Sequence, residues 1–293
     1  MLGLLVCRDD VLARQDPPPS ARAAFDRPIV LGPDDKPAFA DPPSGFDARR
    51  ENVSHGRLEM VEYESKTVGV PRRMNVYTPP GYARGGGKYP VLYLLHGIGG
   101  DETEWQRYAT PDVLLDNLIA EGKAAPMIVV MPNGRARKAD RAEGQIFSPE
   151  NIAAFAAFER DLLDDVIPSI EARYATAASR EQRALAGLSM GGGQALNFGL
   201  SHLDRFAWVG GFSSAPNTRR PPELAPDPAA VGRKLKLLFL SCGNKDGLIN
   251  ISQDVHAYLK EKDVPHVWHV DGNGHDATAW RNALYHFVQR IFR

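Results

Sequence analysis

A mostly parallel sheet of about eight strands, with helices on both faces, is the fold class this sequence predicts, and three observations predict it. From residue 90 onward, apolar strand-like runs alternate with helical patterns, as a chain of βαβ units requires. Two of those runs, 90–95 and 127–131, are continuously apolar. Strands covered by helices on both faces read this way. The third observation is Gly187-Leu188-Ser189-Met190-Gly191, a G-x-S-x-G pentapeptide between a strand pattern and a helix pattern. That is the nucleophile elbow of the α/β-hydrolase fold, in which a strained turn exposes the serine and small neighbours let strand and helix approach closely.

In chain order, residues 1–50 read as a proline-rich extension and 51–293 as the domain. The extension carries Pro17-Pro18-Pro19, Pro28, Pro33, Pro37 and Pro42-Pro43 with few large apolar residues, which predicts an extended, loosely packed arm. Residues 57–65 and 68–77 alternate around Lys66-Thr67 and predict an edge hairpin. After the turn Pro79-Pro80-Gly81-Tyr82 comes the strand 90–95, then a helix over 111–122 with Val113, Leu114, Leu118 and Ile119 on one side. The strand 127–131 precedes one long amphipathic helix over 151–174, carrying Phe155, Phe158, Leu162, Leu163 and Ile167. The elbow strand 183–186 and its helix 192–200 follow. Strands 207–212 and 235–242, a helix over 251–262, the strand 265–270 and a last helix over 277–291 complete the chain. No internal repeat is present. In such sheets ligands bind at the carboxyl ends of the strands, so the loops that follow strands are where chemistry is expected.

Composition narrows the partners. With 293 residues, 43% hydrophobic and 24% charged, the chain fits one α/β domain plus an extension. A net charge of -1 gives no electrostatic case for nucleic acid or an anionic membrane, and a neutral or weakly charged small molecule or polysaccharide fits better. Cys7 and Cys242 are the only cysteines, and Cys242 ends an apolar run, which predicts a buried free thiol in place of a disulfide framework. Residues 1–7 resemble the tail of an export signal without its basic start, or else a free end; the signal remnant is the expectation. Leu4-Leu5-Val6-Cys7 is a poor lipoprotein box because of Val6, and no other segment is long and apolar enough for a membrane helix. Oligomeric state stays open.

A serine hydroxyl needs a base within hydrogen-bond reach, itself oriented by a carboxylate, and in this fold the order along the chain is Ser, acid, His. His275 fits the base, because Asp271-Gly272-Asn273-Gly274-His275-Asp276 is a glycine-rich loop after a strand and before the last helix. His266 and His269 lie within a strand, His256 and His286 on helices, His202 at a helix end, and His55 and His96 before the elbow. Asp246, in the turn Gly243-Asn244-Lys245-Asp246-Gly247 after strand 235–242, fits the acid. Asp276 adjoins the histidine too closely, and Asp271 shares its loop. The tetrahedral intermediate needs two amide donors: Met190, next to the nucleophile, and a residue of His96-Gly97-Ile98-Gly99-Gly100, with Ile98 ahead of Gly97. Trp105 and Trp280 flank the predicted cleft and are candidate substrate-stacking residues. No metal or cofactor is implied. Asp271-Gly272-Asn273 resembles the start of a calcium loop, but Asp276 and Asn282 stand where glycine and glutamate belong. His266 and His269 point to opposite faces of a strand, and no phosphate loop or dinucleotide fingerprint occurs.

The segments Tyr77-Thr78-Pro79-Pro80-Gly81-Tyr82, Tyr93-Leu94-Leu95-His96-Gly97-Ile98-Gly99-Gly100, Ala186-Gly187-Leu188-Ser189-Met190-Gly191-Gly192-Gly193-Gln194, Ser214-Ala215-Pro216-Asn217-Thr218, Lys234-Leu235-Lys236-Leu237-Leu238-Phe239 and Gly274-His275-Asp276 give residues 53–292 a resemblance to a known family. The chain resembles the bacterial feruloyl esterases of carbohydrate esterase family 1, including the esterase modules of xylanases, within the esterase D-like group. The resemblance implies Ser189 as nucleophile, His275 as base, Asp246 as acid, and Met190 with the Ile98 region as oxyanion donors. It also implies a secreted or periplasmic enzyme that removes ferulate or related hydroxycinnamates from arabinoxylan. Related enzymes remove acetyl groups from xylan, cleave enterochelin-type esters, hydrolyse S-formylglutathione or transfer the acyl group to a sugar. A silent carbohydrate-binding protein on the same fold is the reading of a different class. The arm before Asn52 has no counterpart in the resemblance.

Overall fold

The computed structural model describes residues 27–293, so the expected signal remnant at 1–7 and Pro17-Pro18-Pro19 lie outside the described residues. Strands β1 (Arg57–Ser65) and β2 (Val70–Thr78) form the expected antiparallel hairpin, in register from Arg57 opposite Thr78 to Ser65 opposite Val70. Its turn closes on Gly69, at φ 78°, a conformation open to glycine. The remaining strands are β3 (Val91–Leu95), β4 (Ile128–Pro132), β5 (Arg183–Leu188), β6 (Trp208–Phe212), β7 (Leu237–Gly243) and β8 (Val267–Asp271). They join the hairpin in one sheet of eight strands, ordered β1-β2-β4-β3-β5-β6-β7-β8. Strands β3 to β8 are mutually parallel, and β2 runs against both its neighbours.

Two apolar layers explain the continuous runs. Tyr93 and Leu95 of β3 enter one layer and Leu92 and Leu94 enter the other, because successive side chains point to opposite faces. Helices α1 (Glu104–Ala109), α2 (Pro111–Ala120) and α9 (Ala277–Val288) cover one face through residues such as Leu114, Leu118, Leu284 and Phe287. The other face is covered by α3 (Pro149–Asp161), α4 (Ile167–Arg173), α5 (Met190–Ser201) and α8 (Ile249–Glu261), through Phe158, Ile170, Leu196 and Val255. Between them in sequence, α6 (Pro221–Leu224) and α7 (Pro228–Lys234) are short.

Three local expectations change. The single helix over 151–174 widens over Leu162–Val166, where Ile167 N–H reaches back five residues to Leu162 O. Pro168 is the reason: it has no N–H to bond one turn back, and its ring crowds the carbonyl there. Helix α1 occupies the stretch expected as loop around Trp105. Residues 27–50 keep an extended path but are not loosely packed. Lys36 O accepts from Val270 N–H at 3.1 Å, Trp268 Nε1 donates to Asp35 at 2.9 Å, and Phe39 stacks on His286 at 5.1 Å between ring centres. Prolines deny this arm a helix or strand, while Phe39 and Phe46 anchor it.

The strand order matters most at β3. From it the chain crosses to β4 on one side, and its other neighbour is β5. The loops leaving β3 and β5 therefore diverge at a topological switch point, which opens a crevice at the carboxyl ends of both strands. Those loops are 96–100 and the serine elbow.

Candidate active site

Ser189 sits between β5 and α5 at φ 52° and ψ -118°, outside the regions that ordinary residues favour. Such strain costs about 1–3 kcal/mol and persists only where the surroundings over-determine it. Here they do. Ser189 N–H donates to Phe212 O at 2.9 Å, and its carbonyl accepts from Gly193 N–H at 3.0 Å and Ala215 N–H at 3.1 Å. The glycines on either side are needed for space: a Cβ on Gly187 would lie 2.4 Å from Gly191 O, and one on Gly191 would lie 2.5 Å from Leu95 O and His96 O.

The hydroxyl is within reach of the predicted histidine. His275 Nε2 lies 3.0 Å from Ser189 Oγ, and His275 Nδ1 lies 2.8 Å from Asp246 Oδ2. Asp246 is fully buried, and its Oδ1 accepts from Leu248 N–H at 2.8 Å. Burial pushes its carboxyl upward, but the hydrogen bond and charge of His275, with the Leu248 N–H and the Ser213 hydroxyl, outweigh it and hold the pKa below the usual value. An anionic Asp246 accepts only, so Nδ1 carries the imidazole proton and Nε2 is left to accept from the serine. Asp271 and Asp276 have other duties. Asp271 bonds Asn273 through both oxygens, and Asp276 caps α9 through Thr278 and Ala279.

Loop 96–100 lies against the elbow, since a Cβ on Gly97 would fall 3.4 Å from Ser189 Cβ. Gly97 N–H is already used, donating to Glu104 Oε2 at 2.6 Å. Ile98 N–H donates to no group among the described residues. Met190 N–H opens α5, where the helix itself offers no acceptor. His96 is a framework residue: Nε2 accepts from Gly134 N–H at 2.8 Å and Nδ1 bonds Gly97 O at 2.7 Å. Burial, then the Arg135 charge, lowers it to about 4, so it stays neutral.

The two tryptophans do not stack on an open cleft. Trp105 is 1% exposed, its Nε1 donates to Leu95 O at 2.9 Å, and its ring packs edge-on against Phe212. The helix around it turns the indole inward, so it belongs to the core. Trp280 is also buried and meets His275 edge-on at 5.2 Å between ring centres, bracing the imidazole.

The profile of the Esterase family matches residues 65–291. The chain belongs to this esterase family. The esterase is 34% identical over 254 residues to an endo-1,4-beta-xylanase/feruloyl esterase of Xylanibacter ruminicola, a match covering 85% of this chain and 33% of that protein. It is 33% identical over 170 residues to an esterase of Mycobacterium tuberculosis, covering 58% of this chain and 35% of that one. The chain thus spans about a third of the length of these curated relatives. A CE1 ferulic acid esterase from Anaeromyces mucronatus, solved with ferulic acid, superposes at a TM-score of 0.76 with 27% identity, covering 86% of this chain and 96% of that one. A feruloyl esterase module from Clostridium thermocellum shares the fold at a TM-score of 0.71 and 21% identity, covering 90% and 97%. The resemblance read from the motifs is borne out.

Sequence reasoning missed two features of the esterase's site. Arg135 is buried behind loop 96–100, donating to Ile98 O, to Gly100 O at 3.1 Å and to Asn151 Oδ1 at 2.6 Å. Burial, then the neighbouring Arg137 charge, lowers its pKa to about 10. Its signal was its place, just past β4 at the ligand-binding edge. The second feature is a small apolar cluster apart from both core layers: Phe155, Met190, Ala215 and Leu248, with Ile98 and Ile251 against them. It gathers beside the elbow from four loops and helices. No local pattern announces such a cluster.

Proposed function

We propose that the esterase works through an acyl-enzyme on Ser189, with His275 as base, Asp246 as the acid that orients it, and Ile98 and Met190 N–H groups as oxyanion donors. The observation that carries this reading is the continuous relay of 2.8 Å from Asp246 to His275 and 3.0 Å from His275 to Ser189. Ser189 Oγ attacks the ester carbonyl while Nε2 takes its proton, and Asp246 stabilises the imidazolium. The oxyanion gains charge between the two amides. His275 then protonates the leaving alcohol, the tetrahedral intermediate collapses to an acyl-serine, and the same nitrogen activates a water that releases the acid.

The proposed substrate is a hydroxycinnamate ester such as ferulate on arabinoxylan. Support comes from the xylanase/feruloyl esterase relative and from the ferulic acid complex of the structural neighbour. Export from the cell belongs to the same proposal and is checked by locating activity in medium against lysate.

Rates on methyl ferulate, acetylated xylan and short p-nitrophenyl esters, measured side by side, test the substrate. A preference for acetylated xylan would replace the hydroxycinnamate reading. Ser189→Ala is expected to lower kcat by about 10⁴-fold or more while circular dichroism stays unchanged. Turnover near the original rate would remove Ser189 from the mechanism.

A further inference from the structure

Glu104 is a carboxylate buried behind the loop that carries Ile98, and the relay does not use it. It is the first residue of α1, and only 5% of it is exposed. Its Oε2 accepts Gly97 N–H at 2.6 Å. The loop is shaped around it: a Cβ on Gly100 would lie 2.4–2.6 Å from the Glu104 carboxyl atoms, so that glycine leaves the space the carboxyl fills. Burial raises its pKa against the opposing pull of the Gly97 N–H.

The consequence falls on one peptide plane. Gly97 O accepts from His96 Nδ1 at 2.7 Å and from Gly100 N–H at 3.1 Å. In a trans peptide the N–H of Ile98 points opposite to that oxygen. Glu104 holds the preceding N–H, His96 holds the carbonyl, and Arg135 holds Ile98 O on the far side. Of the N–H groups on either side of Gly97 Cα, Ile98 N–H is the one without an acceptor among the described residues. Without Glu104, Gly97 N–H is a buried unpaired donor, and the His96–Gly97 peptide that carries it must turn to regain a partner, which moves Gly97 Cα and with it the next plane, the one that aims Ile98.

We propose that Glu104 is the positioning residue of the oxyanion loop, acting through the Gly97 N–H to hold Ile98 N–H toward the oxygen that gains charge. This rests on the reading of Ile98 as an oxyanion donor. The role calls for transition-state stabilisation to fall, with ground-state binding little changed, when the carboxyl is removed.

The test measures kcat and KM on a p-nitrophenyl ester, and Ki for phenylboronic acid, whose tetrahedral adduct on Ser189 mimics the intermediate. Glu104→Ala is expected to lower kcat by about 10–100-fold with KM within about twofold, in line with the cost of a misplaced catalytic group. The boronate Ki is expected to weaken in parallel. Glu104→Gln keeps an acceptor oxygen and should recover kcat to within about fivefold. Gly100→Ala, which pushes the same carboxyl from the other side, should reproduce the loss, and it decides the matter if Glu104→Ala fails to fold. Unchanged kcat in folded Glu104→Ala, or a kcat loss with no change in boronate Ki, overturns the proposal. An active Ser189→Ala would instead overturn the acyl-enzyme reading beneath it.

Discussion

Asp246 illustrates what one residue does by where it is held. Its carboxylate is buried, charged and bonded on both oxygens, so the proton between it and His275 stays on the imidazole. Asp246→Asn can face the imidazole with its NH₂ group and favour the wrong tautomer, and kcat is expected to fall by about 10³–10⁴-fold with KM little changed. Steady-state kinetics on a p-nitrophenyl ester check this, and a loss under tenfold would return the role to another group. The proposed relay of Ser189, Asp246 and His275 is legible in the sequence because motif, loop position and order along the chain all agree on it. Arg135 and Glu104 are not. Each bonds backbone groups of loop 96–100, and nothing in its own sequence neighbours announces that partner.

Elements were legible where a period ran long enough. The strands and most helices appear at their expected places, because apolar runs of five or more residues and helices of three turns carry their own signal. Helix α1 has six residues and no such period, so the sequence alone reads Trp105 as a loop residue, and the structure makes it a core one. The arm misled through composition: prolines suggested slack, yet Phe46 is buried, with its ring edge-on to Tyr285 at 4.9 Å, and its carbonyl accepts from Asn117 Nδ2. Phe46→Ala is expected to cost about 3 kcal/mol, read as a lower urea midpoint, with kcat unchanged because Phe46 packs against the outer layer of α2 and α9. A midpoint equal to that of the parent protein would make the arm an ornament.

At the scale of the molecule, buried histidines set the response to acid. Burial lowers His96 to about 4 and His286 to about 3, against an ordinary value of 6.5. The folded state keeps both neutral while the unfolded chain takes up protons, so their contribution is full above about pH 6.5. It is lost as pH falls toward 4 and 3, by up to about 1.4 kcal/mol per pH unit for each residue. His286→Phe keeps a ring beside Phe39 and should flatten that slope in urea titrations between pH 4 and 6.5. An unchanged slope would place the acid sensitivity elsewhere. The sequence by itself determined the α/β class, the serine elbow and the order along the chain of the proposed acid and base, because these rest on local periods, glycine sterics and chain order. Only the tertiary structure decided that Gly97 N–H is taken by Glu104 while Ile98 N–H is left without an acceptor among the described residues, that Trp105 is core and that the arm is anchored. Those depend on contacts that no local period or motif carries: Gly97 with Glu104 across the loop, Trp105 with Phe212, and the arm with β8 and α9.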